Sequence, residues 1–146
     1  TATTEIDSLA RHDALPISSR QLKKSLDESR FGDLVLGDAY VKWGRTTEYY
    51  QSGKWRGTWK YDGGGALMNQ GIHSVDLLQW YMGEVESVQS VSGNIRHKYI
   101  EVEDTIVSTV KFKNGALGTI ECSTGVFPGS LKRVEIMGTT GSAILE

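Results

Sequence analysis

The 146-residue chain contains little cysteine and little proline, and it has no long apolar run. Cys122 is its only cysteine, so no internal disulfide can form, and its strand-like surroundings predict a buried, unreactive thiol. A membrane-spanning helix needs about 20 consecutive apolar residues, which this sequence does not offer, and no signal peptide is visible. Because a lone thiol is compatible with a reducing compartment, we expect a cytoplasmic protein without a membrane partner.

Neither sign of charge dominates, since 16 lysines and arginines stand against 18 aspartates and glutamates, for a net charge of −2. This balance gives no electrostatic reason to expect nucleic acid as a partner. The three histidines are far apart and lack the cysteine or carboxylate spacing of a zinc site, so we predict no metal site. The Gly-x-Ser-x-Gly motif is absent, and the single cysteine has no evident partner base, which argues against nucleophilic catalysis.

The most informative feature that the sequence does contain is a triple glycine at 63–65, which opens a helical pattern extending to about Gly83. Asn69, His73 and Asp76 recur at helical spacing and form a polar row. The row fits either the wall of a site or the ordinary wet face of an amphipathic helix. A separate set of residues at helical spacing predicts one apolar stripe: Met68, Ile72, Val75, Leu78 and Met82.

The rest of the chain predicts an α+β fold. Residues 1–17 lack periodicity and are interpreted as a leader or a foreign segment. A short helix is expected to begin at Ser18 or Ser19 and to end at Gly32. On Thr105 to Phe112, a moderately apolar second face predicts a sheet covered on both sides, by helices on one and by a partner subunit on the other. The predicted strands are Leu34–Trp43, Val85–Arg96, Asp104–Phe112, Ala116–Ser123 after an Asn-Gly turn, Leu131–Gly138 and Ser142–Leu145.

Residues 44–63 form a long connecting segment that is rich in aromatic and cationic side chains. Loops of this length in compact domains are usually functional or mobile. Its aromatic rings could stack on a sugar, or they could only pin the segment to the sheet, and both interpretations stay open. The cations could meet a carboxylate or phosphate of a substrate. The residues concerned are Tyr49, Tyr50, Trp55, Trp59 and Tyr61, with Arg45, Lys54, Arg56 and Lys60.

The string WRGTWKYDGGGALMNQGIHSVDLLQWYMG, Trp55 to Gly83, resembles the signature region of the Gfo/Idh/MocA family of NAD(P)-dependent sugar and polyol oxidoreductases. LKKSLDESRFGDLVLGDAYVKWGRT upstream and GTTGSAILE downstream also resemble the family, so the likeness runs from about Gln21 to the C-terminus. It implies that residues 18–146 are a truncated C-terminal substrate domain, an open, mostly antiparallel sheet with helices on one face and oligomer contacts on the other.

The resemblance also implies the chemistry, in which a hydride moves between a nicotinamide and a carbon that carries a hydroxyl. His73 matches the family histidine and is our candidate for proton transfer. Asn69 stands where many members carry aspartate, so it can only orient His73 or the substrate by hydrogen bonds. Gly64 and Gly65 would let the backbone approach the substrate or the nicotinamide. The candidate substrate contacts are Arg56, Trp55, Tyr49 and Asp76, although for Asp76 a structural hydrogen bond is the favoured interpretation.

The family's nucleotide-binding domain, with its Glu-Lys-Pro lysine, has no counterpart in this sequence. We therefore expect NAD or NADP to serve the full-length enzyme and not to bind this fragment productively. A sugar or polyol is the expected substrate, and a homodimer or higher homo-oligomer is expected to form through the sheet. Two functions stay open: the catalytic second domain of a dehydrogenase, and a stand-alone carbohydrate-binding or dimerisation module without catalysis.

Overall fold

A computed structural model describes residues 17–146 as one sheet with a helical layer. Of the predicted leader at 1–17, all but Ile17 lies outside the described residues. The helices are α1 (Ile17–Asp27), α2 (Thr47–Gln51), α3 (Trp59–Asp62), a π-helical turn (Leu67–Gly71) and α4 (Ile72–Met82). The strands are β1 (Leu34–Lys42), β2 (Val85–Gly93), β3 (Thr105–Phe112), β4 (Leu117–Ser123), β5 (Arg133–Gly138) and β6 (Ser142–Leu145).

The six strands lie in the order β2-β3-β4-β1-β5-β6. Every neighbouring pair is antiparallel except β1 and β4, which run parallel from Leu36 opposite Leu117 to Lys42 opposite Ser123. The predicted hairpin turn joins β3 and β4, where Gly115 adopts a φ of 90° that favours glycine. The predicted open, mostly antiparallel α+β sheet is thus confirmed.

One face of the sheet carries the helices and the hydrophobic core. The helix α4 packs on β1 and β5, and the Tyr81 hydroxyl on α4 donates to the Ser19 carbonyl on α1. The alternating strand residues that face these helices are buried, whereas their neighbours point to the other face. The core centres on Ala39, Val41, Leu78, Met82, Phe112, Val110 and Ile136.

The predicted apolar stripe is wrong over its first half, because Met68 is 52% exposed and Ile72 is 41% exposed. Small residues make the helix–sheet contact instead. A Cβ atom on Gly71 would lie 2.4 Å from the Cys122 sulfur, and one on Gly37 would lie 2.6 Å from Met82. The π-helical turn also changes the phase of the pattern, since it contains one more residue per turn than periodicity assumes.

Two further boundaries differ from the prediction. The helix α1 ends at Asp27 and is followed by turns as far as Phe31, so Gly32 lies beyond the helix. The segment 44–63 is not a plain loop, because it contains α2 and α3, which begin after Thr46 and Thr58. Each of these threonines accepts a backbone hydrogen bond through its hydroxyl, which is how short polar side chains begin a helix.

No described element covers the second face of the sheet. Val91 lies opposite Val107 on this face, and Leu117 lies opposite Lys111. Val107 is 48% exposed and Leu117 is 55% exposed. We call the residues that β2, β3 and β4 present here the open face. Within residues 17–146, no helix is long and apolar enough to cross a membrane.

Candidate functional site

The site region begins at the triple glycine, where the helix that carries the polar row starts. Glu103 holds this start in place: its two carboxylate oxygens accept from the N–H groups of Gly65 and Leu67, at 3.0 and 3.1 Å. Its carbonyl accepts from Ala66 N–H at 2.9 Å. A Cβ atom on Gly65 would lie 1.8 Å from that carbonyl oxygen, so only glycine fits there. The sequence analysis missed Glu103, which lies 38 residues away from Gly65 and belongs to no local motif.

Asn69 closes the turn at the same helix start. Its side-chain amide donates to the Gly64 carbonyl at 2.8 Å, and its backbone N–H donates to the Gly65 carbonyl at 3.0 Å. Gly64 and Gly65 are themselves buried. The structure thus gives these two glycines a local role in shaping the turn, and their contact with a cofactor stays a prediction.

His73 lies one helical turn beyond Asn69, on the side of the helix that points away from the sheet. Both side chains are exposed, together with Met68 and Ile72. Asp76 follows on the next turn and is partly buried. The predicted polar row therefore exists, and it shares the solvent side of the helix with two apolar residues that the sequence placed in the core.

A narrow cleft of about 10 Å³, just large enough for about one water molecule, joins the segment 44–63 to this helix start. The residues that line it come from α2, α3, the triple glycine, the π-helical turn and the loops before β3 and after β4: Tyr49, Tyr50, Asp62, Gly65, Asn69, Gln70, Val102 and Thr124. Of the predicted site residues, the structure brings Tyr49, Gly65 and Asn69 together in the lining. His73 lies on the turn that follows it.

Two arginines flank the Tyr49 ring. The Arg45 guanidinium carbon lies 4.7 Å from the ring centroid, and the Arg56 carbon lies 4.2 Å from it. Arg56 also lies 4.5 Å from the Trp55 ring centroid, and Trp55 itself is 47% exposed. Arg45 reaches the helix directly, since its Nη2 donates to the Gln70 side-chain oxygen at 2.9 Å. The predicted contacts Tyr49, Trp55 and Arg56 therefore form one stacked group beside the cleft.

Behind the cleft lies a polar layer of which the sequence analysis named only Tyr50. The ring of His97 is buried and lies 4.8 Å from the ring of Tyr50, while its Nδ1 pairs with the Tyr99 hydroxyl at 3.0 Å. The Tyr50 hydroxyl pairs with Thr124 at 2.7 Å, and burial raises the pKa of Tyr50. This layer fixes the position of α2 from below. No short motif reveals it, because Tyr50 and Thr124 are distant in sequence from each other and from the neighbouring pair His97 and Tyr99.

Two other predictions about chemistry concern the same region. Among residues 17–146, no group of three or more potential ligands is placed to hold a metal ion. Cys122 is buried beneath Gly71, as predicted, and desolvation together with the nearby charges of Glu103 and Glu121 raises the pKa of its thiol to about 12. A thiol with so high a pKa is unreactive at neutral pH.

Two of the solved structures that are similar to this chain are WlbA dehydrogenases. One is a WlbA dehydrogenase from Bordetella pertussis in complex with NADH and UDP-GlcNAcA, 38% identical with a TM-score of 0.80 over 86% of this chain and 37% of that one. The other is a WlbA dehydrogenase from Chromobacterium violaceum with the same ligands, 43% identical with a TM-score of 0.79 over 86% of this chain and 36% of that one.

A curated relative, a myo-inositol 2-dehydrogenase from Thermotoga maritima, is 34% identical over 82 residues, which are 53% of this chain and 25% of that protein. This chain thus spans about a quarter of the curated relatives that it matches. The family model described as the GFO/IDH/MocA C-terminal domain matches residues 19–144. With the sheet, the helix start and the match all in agreement, the chain belongs to the Gfo/Idh/MocA oxidoreductases as a C-terminal domain of that family.

Proposed function

We propose that this chain is the substrate-binding and oligomerisation domain of an NAD(P)-dependent sugar or polyol dehydrogenase, inactive until joined to a nucleotide-binding domain. The observation that carries the proposal is the solvent side of the helix after the triple glycine. It presents Asn69 and His73 next to the cleft that Tyr49 lines, and Arg45 and Arg56 stack on the Tyr49 ring. Nothing in the described part of the chain covers this side.

The helix start also indicates which part of a cofactor this domain could meet. Backbone N–H groups at a helix start can hold a phosphate, but those of Gly65 and Leu67 donate to Glu103 here. The described residues thus do not fit a pyrophosphate. We propose that this domain contacts only the nicotinamide end, beside Gly64, Gly65 and His73, and that another domain binds the rest of the cofactor.

The reaction follows from what each side chain can do. A bound nicotinamide supplies the hydride acceptor. His73 takes the proton of the reacting hydroxyl, because imidazole is the side chain best suited to proton transfer near neutral pH. Asn69 cannot titrate, and its amide N–H₂ is engaged with the Gly64 carbonyl, so it orients the turn and offers its oxygen to a substrate hydroxyl.

The substrate proposal combines this geometry with the relatives. The WlbA structures contain UDP-GlcNAcA, and the Thermotoga relative is named for myo-inositol, so a free or nucleotide-linked sugar or a polyol is the expected class. Tyr49, Trp55, Arg56 and Asp76 are the proposed contacts. Aromatic faces suit the apolar side of a sugar ring, and Arg56 suits its oxygens.

Self-association is the second part of the proposal. The open face exposes Val91, Val107 and Leu117 side by side, in a molecule whose other sheet face is covered by helices. Exposed apolar patches on sheets are typical of interfaces between subunits. We propose a homodimer through this face. We place the protein in the cytoplasm on the basis of its single, buried cysteine.

The alternative, a carbohydrate-binding or dimerisation module without catalysis, is favoured by one observation. Asn69 stands where many members of the family carry a titratable aspartate, and its side-chain amide donates to the backbone carbonyl of Gly64. A chimera distinguishes the two functions: this chain replaces the 37% of the Bordetella WlbA dehydrogenase that it matches. The chimera is assayed with NAD and NADP against UDP-GlcNAcA, glucose and myo-inositol.

Reduction of the nicotinamide with any of these substrates supports the dehydrogenase. Substrate binding by calorimetry without reduction supports the module. Absence of both, in a chimera that is folded by circular dichroism, contradicts the proposal as a whole.

A further inference from the structure

We propose that Arg45 and Arg56 form an oxyanion-recognition pair, so that the substrate carries a carboxylate or a phosphate. This inference rests on the proposed function, since it names the substrate class of the same site. We call these two guanidinium groups, both of which lie against the Tyr49 ring, the arginine pair.

The contacts of Arg56 leave its hydrogen-bonding groups unused. Its guanidinium lies against the rings of Tyr49 and Trp55. Its Nε is buried without a hydrogen-bond partner, and no described residue accepts a hydrogen bond from the remaining nitrogens. A guanidinium carries five N–H donors in a planar fork, and stacking on the rings leaves the four donors of the two terminal nitrogens free to bind a ligand.

Arg45 also has hydrogen-bond donors without a partner. Its guanidinium lies 5.4 Å from the Trp43 ring centroid, as well as close to Tyr49, and a single donor is used on Gln70. Its Nε is also buried and unpartnered. Buried polar groups nearly always find a partner, and two such orphaned nitrogens beside one ring indicate a partner that residues 17–146 do not supply.

The nearby carboxylates are engaged elsewhere. Asp62 accepts from Gly57 N–H at 2.7 Å, Glu101 accepts from Trp59 N–H at 3.0 Å, and Glu103 holds the helix start. Within the described part of the chain, neither guanidinium of the arginine pair forms an ion pair with a carboxylate. The segment 44–63 thus presents positive charge that is not neutralised locally.

Position and chemistry together specify the ligand. Tyr49 lines the cleft with Asn69, and Arg45 is bonded to Gln70, the residue after Asn69, so the arginine pair lies beside the proposed reaction site. Planar guanidiniums bind carboxylate and phosphate oxygens through two parallel hydrogen bonds, and stacking on aromatic rings orients the fork in advance. Lys60 lies at 5.0 Å from the Tyr61 ring and is exposed, outside this arrangement.

The test measures binding without cofactor or turnover, so it is independent of whether the chain supports hydride transfer. The 146-residue chain is titrated with glucuronate, glucose 1-phosphate and glucose, and the side-chain Nε–H signals of the arginines are followed by NMR. We expect the Arg45 and Arg56 signals to shift with one anionic probe, which binds at least about tenfold more tightly than glucose. Glucuronate as that probe identifies a carboxylate, and glucose 1-phosphate identifies a phosphate.

Variants then distinguish recognition of an anionic ligand from a purely structural role, in which the arginines only hold the segment 44–63 in place. In Arg56→Gln and Arg45→Gln, the preference for the anionic probe over glucose should disappear, whereas the control Lys60→Gln keeps it. Arg56→Lys retains the charge without the fork and should lose most of the preference. Equal binding of glucose and both anionic probes, or no shift of the two signals in the folded parent chain, overturns the proposal.

Discussion

At Asp104, burial and hydrogen bonding act on the carboxyl in opposite directions. It is fully buried and accepts backbone hydrogen bonds from Ile95, Arg96 and His97, as well as one from the Thr105 hydroxyl. Burial alone raises the pKa of this carboxyl, but the donors outweigh it and hold the pKa below its ordinary value. A single ionised side chain thereby fixes the loop that carries His97 beneath the cleft.

The lowered pKa predicts how Asp104 contributes to stability as pH changes. Its contribution is present above the unfolded-state pKa of about 4 and is lost as pH falls through the lower folded-state pKa. We expect Asp104→Asn to lower the free energy of unfolding by about 1–3 kcal/mol near pH 7. This difference from the parent chain should become smaller below about pH 4. Urea unfolding of the parent and the variant, from about pH 7 to below about pH 4, measures the difference between their free energies of unfolding.

Asp27→Asn is the control, because Asp27 is exposed and pairs only with Lys23 on the surface. It should change stability by less than about 1 kcal/mol at either pH. A gap between the parent and Asp104→Asn that stays constant down to acid pH would contradict this account of Asp104.

At the scale of the elements, Glu103 stabilises the start of the helix that follows the triple glycine. Its carboxylate satisfies two backbone N–H groups that would otherwise lack partners at the helix start. We expect Glu103→Ala to cost about 1–3 kcal/mol and to increase amide exchange at Gly65 and Leu67. Hydrogen-exchange NMR checks this, with Glu86→Ala, an exposed partner of Lys111, as the control. Unchanged exchange at Gly65 would contradict the role of Glu103.

The contact between helix and sheet depends on Gly71. An added methyl group would lie 2.4 Å from the Cys122 sulfur, so Gly71→Ala should destabilise by about 1–3 kcal/mol despite the better helix propensity of alanine. Gly93→Ala, whose methyl group would meet only Ile95 at 3.6 Å, is the matched control. Denaturant unfolding compares them. The double change Gly71→Ala with Cys122→Ala should recover part of the loss, and no recovery would contradict the proposed clash.

The strands and the helix after the triple glycine show which parts of the fold the sequence could predict and which it could not. Strands with period-two alternation and an Asn-Gly turn were predicted to within a few residues, because their signals are local. The second half of the buried side of the helix, with Leu78 and Met82, was predicted correctly. The first half was not, because Gly71 and Ser74 are buried there and carry no hydrophobic signal. The roles of Glu103 and Asp104 depend on contacts between distant segments, which no spacing rule reveals. The polar row was found because its spacing is local.

At the scale of the whole molecule, the open face predicts association. Val107 lies in the middle of this face, next to Val91 on the neighbouring strand. We expect the parent chain to dimerise and Val107→Glu to be monomeric, because a charge at the centre of an apolar interface is costly. Sedimentation velocity measures the change. Val88→Glu is the control, since Val88 is similarly exposed but its register places it on the other face of the sheet. A monomeric parent, or dimers of Val107→Glu, would refute this interface.

The central claim is that the exposed imidazole after the triple glycine performs proton transfer. The measurement is kcat for His73→Gln in the WlbA chimera, with Gln79→Ala, an exposed change further along the same helix, as the control. The account predicts that kcat falls by about 10²–10⁴-fold in His73→Gln while KM changes little, and that Gln79→Ala retains activity. A His73→Gln chimera with undiminished kcat would contradict it.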